Sequence, residues 1–215
     1  KKLFLTRDRM GEKPLYYSFF ENFFIYGSEL KSIMAFQGIK CEISPSSRDI
    51  FFKYGYIPSP QTIYKGILKI NPGTFFEVSV KNKIFVNKSF TYWKPDSHEN
   101  KTNKGEIITD LNELITSSVK KNLIADVPVG SFLSGGVDSS LISSIASKVS
   151  SKKMDTYTIG FENKEMDESI FAKKIATHLK TNHNEIIVTE KDVMNLIPRL
   201  GEIYDEPFSD NSSIP

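Results

Sequence analysis

The stretch Val127-Pro128-Val129-Gly130-Ser131-Phe132-Leu133-Ser134-Gly135-Gly136-Val137-Asp138-Ser139-Ser140 runs three patterns into one another. The apolar run to Leu133 reads as a buried strand. A glycine pair follows it. Leu141, Ile142, Ile145, Ala146 and Val149 then recur at helical spacing. A strand, a glycine turn and a helix start together make an anion site. The first backbone N–H groups of a helix have no internal partner, and the helix dipole favours negative charge there. Gly135 and Gly136 let the backbone approach a phosphate closely and permit positive φ, and Ser134, Ser139 and Ser140 add hydroxyl donors. The competing reading is a Ser/Gly-rich surface loop capping an ordinary helix. The flanking strand and helix favour the anion site, since context is the test of a motif.

Outward from this loop, the chain continues with a strand at 154–161, a helix at 167–179 and a strand at 184–188. The helix carries its apolar stripe on Phe171, Ala172, Ile175, Ala176 and Leu179. Upstream, Ile107, Leu111, Leu114, Ile115, Ser118, Val119 and Leu123 mark a helix of several turns. Alternating β and α units predict a parallel, doubly wound sheet. Ligands bind such sheets at the carboxyl ends of the strands, where the glycine loop and Ile159-Gly160-Phe161 both fall.

Residues 1–92 read differently. They are rich in aromatics and turns, with short strands at 3–5, 15–20, 23–26, 62–68, 74–80 and 84–86. Gly27 to Ile33 is a loop entering a helix. A second helix spans 45–54, with Ser44 as N-cap and Pro45 at the first helical position. Asn71-Pro72-Gly73 is a turn. This half is α+β and mostly antiparallel. Residues 93–105 are polar with little apolar pattern, a linker by composition, and no internal repeat is visible.

The 215 residues suffice for one large or two small domains. A hydrophobic share of 39% and a charged share of 25% describe a globular protein. The net charge of +2 gives no electrostatic drive toward nucleic acid or membrane. No apolar stretch approaches the roughly 18 residues of a membrane span, and Lys1-Lys2 leads into only a short apolar run before Arg7, which is no signal peptide. The lone Cys41 excludes an internal disulfide framework and fits a cytoplasmic location. His98, His178 and His183 are too scattered for a metal site. With no initiator Met, and with Pro215 straight after a polar loop, the expectation is an internal fragment of a longer protein.

The loop Ser134-Gly135-Gly136-Val137-Asp138-Ser139-Ser140 lacks the Lys of a Walker A motif and the spacing of the dinucleotide fingerprint. It resembles the pyrophosphate loop (PP-loop) of ATP pyrophosphatases, Ser-Gly-Gly-x-Asp-Ser-Ser, which cleave ATP between the α and β phosphates. Asp138 suits Mg²⁺–pyrophosphate handling, because a carboxylate among phosphates is repelled unless a metal lies between them. The run Thr6-Arg7-Asp8-Arg9-Met10-Gly11-Glu12-Lys13-Pro14-Leu15-Tyr16-Tyr17 is similar to a stretch late in class II glutamine amidotransferase domains, and Tyr26-Gly27-Ser28-Glu29-Leu30-Lys31-Ser32 to the segment that follows it. Asp205-Glu206-Pro207-Phe208-Ser209-Asp210 resembles a loop of bacterial-type asparagine synthetases. With these stretches in one order, essentially the whole chain resembles the glutamine-hydrolysing asparagine synthetases.

The resemblance implies the end of an Ntn-hydrolase glutaminase sandwich in 1–92, a linker in 93–105, and in 106–215 the start of a parallel, doubly wound α/β PP-loop domain of the adenine nucleotide α-hydrolase-like kind. It implies an enzyme that releases ammonia from glutamine, activates aspartate with ATP and Mg²⁺ as β-aspartyl-AMP, and forms asparagine as ammonia displaces AMP. Glutamine, aspartate and ATP are then the partners, with no nucleic acid and no membrane, and a homodimer stays open. The ATP and pyrophosphate contacts would be Leu133, Ser134, Gly135, Gly136, Val137, Asp138, Ser139, Ser140 and Ile159, with Asp138 meeting Mg²⁺ through the pyrophosphate. Leu133 and Ile159 would touch the adenosine, or else pack in the core as most strand-end apolar residues do.

Other family parts are absent. The glutaminase nucleophile is an N-terminal Cys, whereas residue 1 is Lys, and Cys41 is internal and reads as a small apolar filler. The synthetase's later catalytic Lys would follow Pro215. No catalytic residue is therefore expected within the chain, which alone should complete neither half-reaction. Thr6 and Gly27 stand where the family usually has Ala. Lys180 replaces a common Gly after the helix that ends at Leu179, so it must adopt positive φ or the helix must end differently. Asp167 and Glu168 either cap that helix or sit near the nucleotide. Arg7, Asp8 and Arg9 read as positional, with Asp8 bonding backbone N–H groups of the next turn. Asp205, Glu206 and Asp210 belong to an acidic loop that either faces the cleft or is solvated, and His183 reads as structural. Two other functions stay open: an amidotransferase of the same build acting on another carboxylate, as in surface polysaccharide or secondary metabolism, and a non-catalytic nucleotide-binding module. The intact loop argues against the last.

Overall fold

The computed structural model describes residues 1–81, 84–96, 103–165 and 167–214. Most of the linker stretch expected after Pro95, and His98 with it, lie outside the described residues. The chain divides into two units, one built from residues up to 96 with 198–213, the other from 103–197 with Ile214. Both mix helices and sheets.

The first unit holds two antiparallel three-stranded sheets. Strands β1 (Lys2–Thr6), β5 (Thr74–Lys81) and β6 (Ile84–Thr91) form one, in the order β1-β5-β6; β2 (Tyr16–Phe20), β3 (Phe23–Gly27) and β4 (Ile67–Lys69) form the other, in the order β3-β2-β4. Strand alternation explains how they stack. Tyr17 and Phe19 of β2 face the first sheet, where the Tyr17 and Phe76 rings lie 4.7 Å apart, in a core with Leu5, Ile70 and Val78. Tyr16 faces the other way and packs with Ile67 against Leu30 and Ile33 of helix α1 (Leu30–Met34). Leu30 and Ile33 are fully buried, each contributing on the order of 1.5–3 kcal/mol by transfer from water. Helix α2 (Pro45–Tyr54) begins as its sequence indicates: the Ser44 hydroxyl accepts from the Ser47 N–H at 3.3 Å, and Gly55 ends the helix at φ 78°.

The loop after β1 is held by its own charges. Asp8 accepts from the N–H groups of Glu12 and Lys13 at 2.9 and 3.0 Å. Arg7 donates to the carbonyls of Gly11, Lys13 and Ile70. The stretch 62–68, expected as a strand, is strand only from Ile67. The Thr62 hydroxyl donates to the Ile67 carbonyl at 2.8 Å and Gly66 turns at φ 74°, so the backbone between them folds back and pairs only through an isolated bridge from Tyr64 to Ile43. β6, expected to stop at 86, continues to Thr91 because β5 pairs with it along its whole length.

The second unit starts with helix α3 (Lys104–Asn122) and holds the parallel sheet β7 (Gly130–Phe132), β8 (Asp155–Phe161) and β9 (Asn182–Val188), in that order. Helix α4 (Val137–Val149) follows β7, α5 (Ser169–Leu179) follows β8 and α6 (Glu190–Leu196) follows β9. Ile145 and Ala146 of α4 pack with Val119 of α3 and with Met154; Ala172 and Ala176 of α5 pack on Leu133. The helices α4 and α5 touch each other and cover the face of β8 that buries Thr156, Thr158 and Gly160. The opposite face carries Phe132, Tyr157, Ile159 and Ile186, of which Phe132 and Ile186 are well exposed. Among the described residues no helix covers it, so the parallel sheet is present while the second helical layer of a doubly wound arrangement is not.

Strand β7 is shorter than the run from Val127 suggests, because only Gly130–Phe132 pair with β8. Gly130 is required there, since a Cβ on it would lie 2.5 Å from the Tyr157 ring. At the end of α5, Lys180 adopts φ 56°, ψ 35°, with its N–H on the Thr177 carbonyl and the Thr181 N–H on the Ala176 carbonyl. That is the left-handed cap a Gly usually supplies, here made by Lys. No helix of the described residues is long and apolar enough to cross a membrane.

Candidate functional site

The glycine loop lies between the carboxyl end of β7 and the start of α4. Leu133 fixes its base: its N–H donates to the Tyr157 carbonyl at 2.9 Å, and its carbonyl accepts from the Thr158 hydroxyl. The Leu133 side chain is 1% exposed and packs on Ala172 and Ala176. Gly135 is the residue that needs positive φ, at 88°, and a Cβ on it would meet the Cβ of Phe171 at 2.7 Å and the N of Ala172 at 3.0 Å. Gly136 differs from the expectation. Its φ of −71° and ψ of 164° are open to any residue, and an added Cβ would meet only the Ser134 hydroxyl, at 3.4 Å. Its smallness matters only for close approach from outside the loop.

The donors available to an anion are also not quite those expected. Ser134 and Ser139 share a hydroxyl–hydroxyl bond of 3.0 Å, and the Ser140 hydroxyl donates to the Gly136 carbonyl at 2.5 Å. The hydroxyls are spent on shaping the loop. Among the described residues, the N–H groups of Val137, Asp138 and Ser139, in the first turn of α4, have no acceptor. These three are the orphan donors that a helix start offers. Asp138 is exposed, with no hydrogen-bond or ion-pair partner among the described residues. Its charge is favoured by the helix dipole and would repel a bare phosphate.

The end of β8 contributes next to this loop. A Cβ on Gly160 would lie 2.6 Å from the Ile187 terminal methyl and 3.1 Å from an Asp167 carboxylate oxygen, so a side chain there would have to displace them. Asp167 is a cap: it accepts from the Ser169 N–H at 3.0 Å, the Ser169 hydroxyl at 3.1 Å and the Phe161 N–H at 3.4 Å. The Ser169 backbone bond above all, then its hydroxyl, holds the Asp167 carboxyl below its ordinary value. Glu168 makes no side-chain cap. Leu133 and Ile159 point to opposite faces of the sheet, so the structure does not bring their side chains together. His183 is structural in its one contact, Nδ1 lying 3.1 Å from the Thr156 hydroxyl at the amino end of the strands.

Within the acidic loop at 205–210, Asp205 and Glu206 are half-buried while residues 207–210 are exposed. The Asp205 and Glu206 side chains are 12% and 14% exposed, and both bond to residues of the first unit. Sequence spacing gives no signal for this, since their partners lie more than 100 residues upstream. Asp210 accepts from the N–H and hydroxyl of Ser212, a local turn.

Residues 1–93 match the model of the glutamine amidotransferase domain, and residues 110–215 match that of asparagine synthase. Over 99% of its length the chain is 37% identical to a provisionally named asparagine synthetase (glutamine-hydrolyzing) 2 of Methanocaldococcus jannaschii, of which it covers 41%. It is 32% identical to asparagine synthetase (glutamine-hydrolyzing) 1 of Bacillus subtilis, over 99% of this chain and 33% of that one. Asparagine synthetase (glutamine-hydrolyzing) 3 of the same organism is 29% identical, over 95% of this chain and 35% of that one. The chain thus spans about a third to two fifths of the length of these curated relatives. Because both models fall on one chain in this order, and relatives carrying both activities in their name align along nearly all of it, the chain belongs to the glutamine-hydrolysing asparagine synthetase family.

Proposed function

We propose that the loop 134–140 binds the phosphates of ATP and that the protein carrying it makes asparagine from aspartate with ammonia released from glutamine. The observation that carries this reading is the trio of unpartnered N–H groups at Val137, Asp138 and Ser139, set above a Gly135 that no other residue can replace without strain. In this reading the three N–H groups hold the β and γ phosphates, and Gly136 leaves room for them. Leu133 anchors the loop through its buried side chain, and Ile159 on the other face is left to contact the nucleoside.

Mg²⁺ fits this donor set. It takes one or two protein carboxylates and keeps phosphate oxygens and water as its other ligands. Among the described residues there is no group of three or more His, Cys, Asp or Glu that would cage a metal, but the loop offers the exposed carboxylate of Asp138. When bound, Mg²⁺ would offset the charge of the leaving pyrophosphate. The carboxylate of the acceptor then attacks the α phosphorus, the bond to pyrophosphate breaks, and β-aspartyl-AMP forms. Ammonia attacks the activated carbonyl and AMP leaves. In this reading the described residues supply the phosphate cradle for the first step.

The test is pyrophosphate release by the full-length parent protein with MgATP, ammonia and a panel of carboxylates. Aspartate-dependent release that yields asparagine supports the proposal. Release only with another carboxylate keeps the loop chemistry and moves the function to a paralogous amidotransferase. No release with any acceptor leaves a nucleotide-binding module.

A further inference from the structure

The segment 198–213 lies within the stretch that matches asparagine synthase, yet its contacts make it part of the first unit. It leaves a short helix at Leu200–Ile203 and then docks by three separate contacts. Asp205 Oδ2 accepts from the N–H of Leu30, the first residue of α1, at 2.5 Å, and Asp205 Oδ1 lies 3.6 Å from Lys31 Nζ. Glu29, which stands at the N-cap of α1, gives that helix no side-chain cap. Asp205 therefore supplies the cap, from 175 positions away in the sequence. Glu206 Oε2 accepts from the Ile63 N–H at 3.1 Å, and Oε1 pairs with Lys69, whose ammonium also donates to the Ile57 carbonyl at 2.7 Å. The Ser209 N–H donates to the carbonyl of Gly55, the residue that ends α2, at 2.7 Å.

The environment is dry enough for these bonds to matter. Lys69 and Glu206 have side chains only 12% and 14% exposed. Burial above all, then the charges of Glu206 and Asp205, pushes the neighbouring Tyr16 hydroxyl up to about 12. A buried carboxylate that loses its partners is costly, and one that keeps them is a firm geometric tie. The helix α1 and the backbone at Ile63 and Gly55 belong to the stretch matching the glutamine amidotransferase domain. On either side the segment is continuous with the nucleotide-binding unit, at Ile197 and at Ile214.

We infer that Asp205 and Glu206 are positioning residues that couple ammonia release to its use, by fastening a piece of the synthetase sequence to the ends of α1 and α2. The inference rests on the function proposed above. Movement at α1 or at the 55–63 backbone is passed to residues 198–213 through hydrogen bonds that accept only one geometry. Without them each half-reaction keeps its own residues and loses the tie to the other.

The test uses the full-length parent and its Asp205→Ala and Asp205→Asn variants, measuring glutamate formed from glutamine, pyrophosphate released with ammonia as nitrogen source, and amide product per glutamine hydrolysed. In Asp205→Ala, ammonia-dependent release should stay within roughly twofold of the parent while product per glutamine falls roughly fivefold or more, the lower range of site-to-site coupling. Asp205→Asn keeps an oxygen acceptor for the Leu30 N–H and should recover most of the ratio. An unchanged ratio in a folded Asp205→Ala protein overturns the inference, as does an equal loss with glutamine and with ammonia, which would mark a merely structural residue. If Asp205→Ala does not fold, Glu206→Gln, which keeps an acceptor for the Ile63 N–H and loses the charge toward Lys69, is read by the same ratio with the same criteria. Hydrogen exchange at the Leu30 and Ile63 amides separates the two kinds of failure. Fast exchange in the parent overturns the tie itself, whereas slow exchange in a parent that releases no pyrophosphate overturns the function on which the inference rests.

Discussion

A Cβ on Gly135 would lie 2.7 Å from the Cβ of Phe171, so the glycine loop can close over the start of α5 only while residue 135 has no side chain. Gly135→Ala adds that clash to a φ of 88°. It should cost roughly 2 kcal/mol or more of stability, read as a lowered urea midpoint. Gly136→Val is the contrast. With φ at −71° and open space beyond Ser134, its stability should stay within about 1 kcal/mol of the parent, while ATP affinity falls because the valine fills the space in front of the free N–H groups. Normal ATP affinity in that variant would remove this loop from the binding site.

Asp138 has no partner among the described residues, which leaves its carboxylate open to a ligand. In the full-length protein Asp138→Ala should leave the fold intact, with at most about 1 kcal/mol lost from the helix dipole. Pyrophosphate release should drop by roughly 100-fold or more, the scale of deleting one charge-stabilising group from a reacting centre. Circular dichroism and a pyrophosphate assay on the same preparation check both halves.

Lys180 ends α5 in a left-handed conformation that costs an L-residue energy and costs glycine none. Lys180→Gly keeps the bonds to Thr177 and Ala176 and should stabilise the chain by about 0.5–1 kcal/mol. An unchanged or lower melting temperature would mean that the lysine side chain contributes something that its backbone geometry hides.

Asp192 takes the Thr189 hydroxyl and the Thr189 N–H, and these bonds, the hydroxyl first, hold its carboxyl below the ordinary 3.8. Asp8, held down chiefly by the Lys13 N–H, and Asp167 behave alike. A carboxyl depressed in the folded state binds its proton less readily there than in the unfolded chain. Its contribution is therefore complete above pH 3.8 and is lost as the pH falls through the folded value. Asp192→Asn should flatten the loss of stability below about pH 4 and leave the dependence between about pH 5 and 8 unchanged. Urea midpoints of both proteins across that range decide it.

The local features of this fold were legible because they are written in adjacent residues. Ser44 and Pro45 start a helix, Asp8 ties the turn that follows it, and the glycine pair joins strand to helix. The start of helix α6 is written in adjacent residues too: Thr189 and Asp192 form a reciprocal capping box, with Asp in place of the usual Glu. What adjacent residues do not encode is where a side chain spends its hydrogen bond. Ser140 looks like a phosphate donor and bonds Gly136; Asp205 looks like a solvated acid and caps α1. Leu133, read as either an adenosine contact or a core residue, packs against α5, nearly forty residues on. In each case the partner is chosen by packing between elements, which spacing along the chain does not contain.

The cap that Asp205 places on Leu30 also sets an order of events in synthesis. The sheets of the first unit are complete once Thr91 has been made, but the start of α1 and the Ile63 amide wait for more than 100 further residues. At roughly 5–20 residues per second, the newborn unit spends several seconds or more with those ends unsatisfied. Contacts of such sequence separation slow the final closure, so the N-terminal half matures only after the parallel sheet between its two pieces has been made.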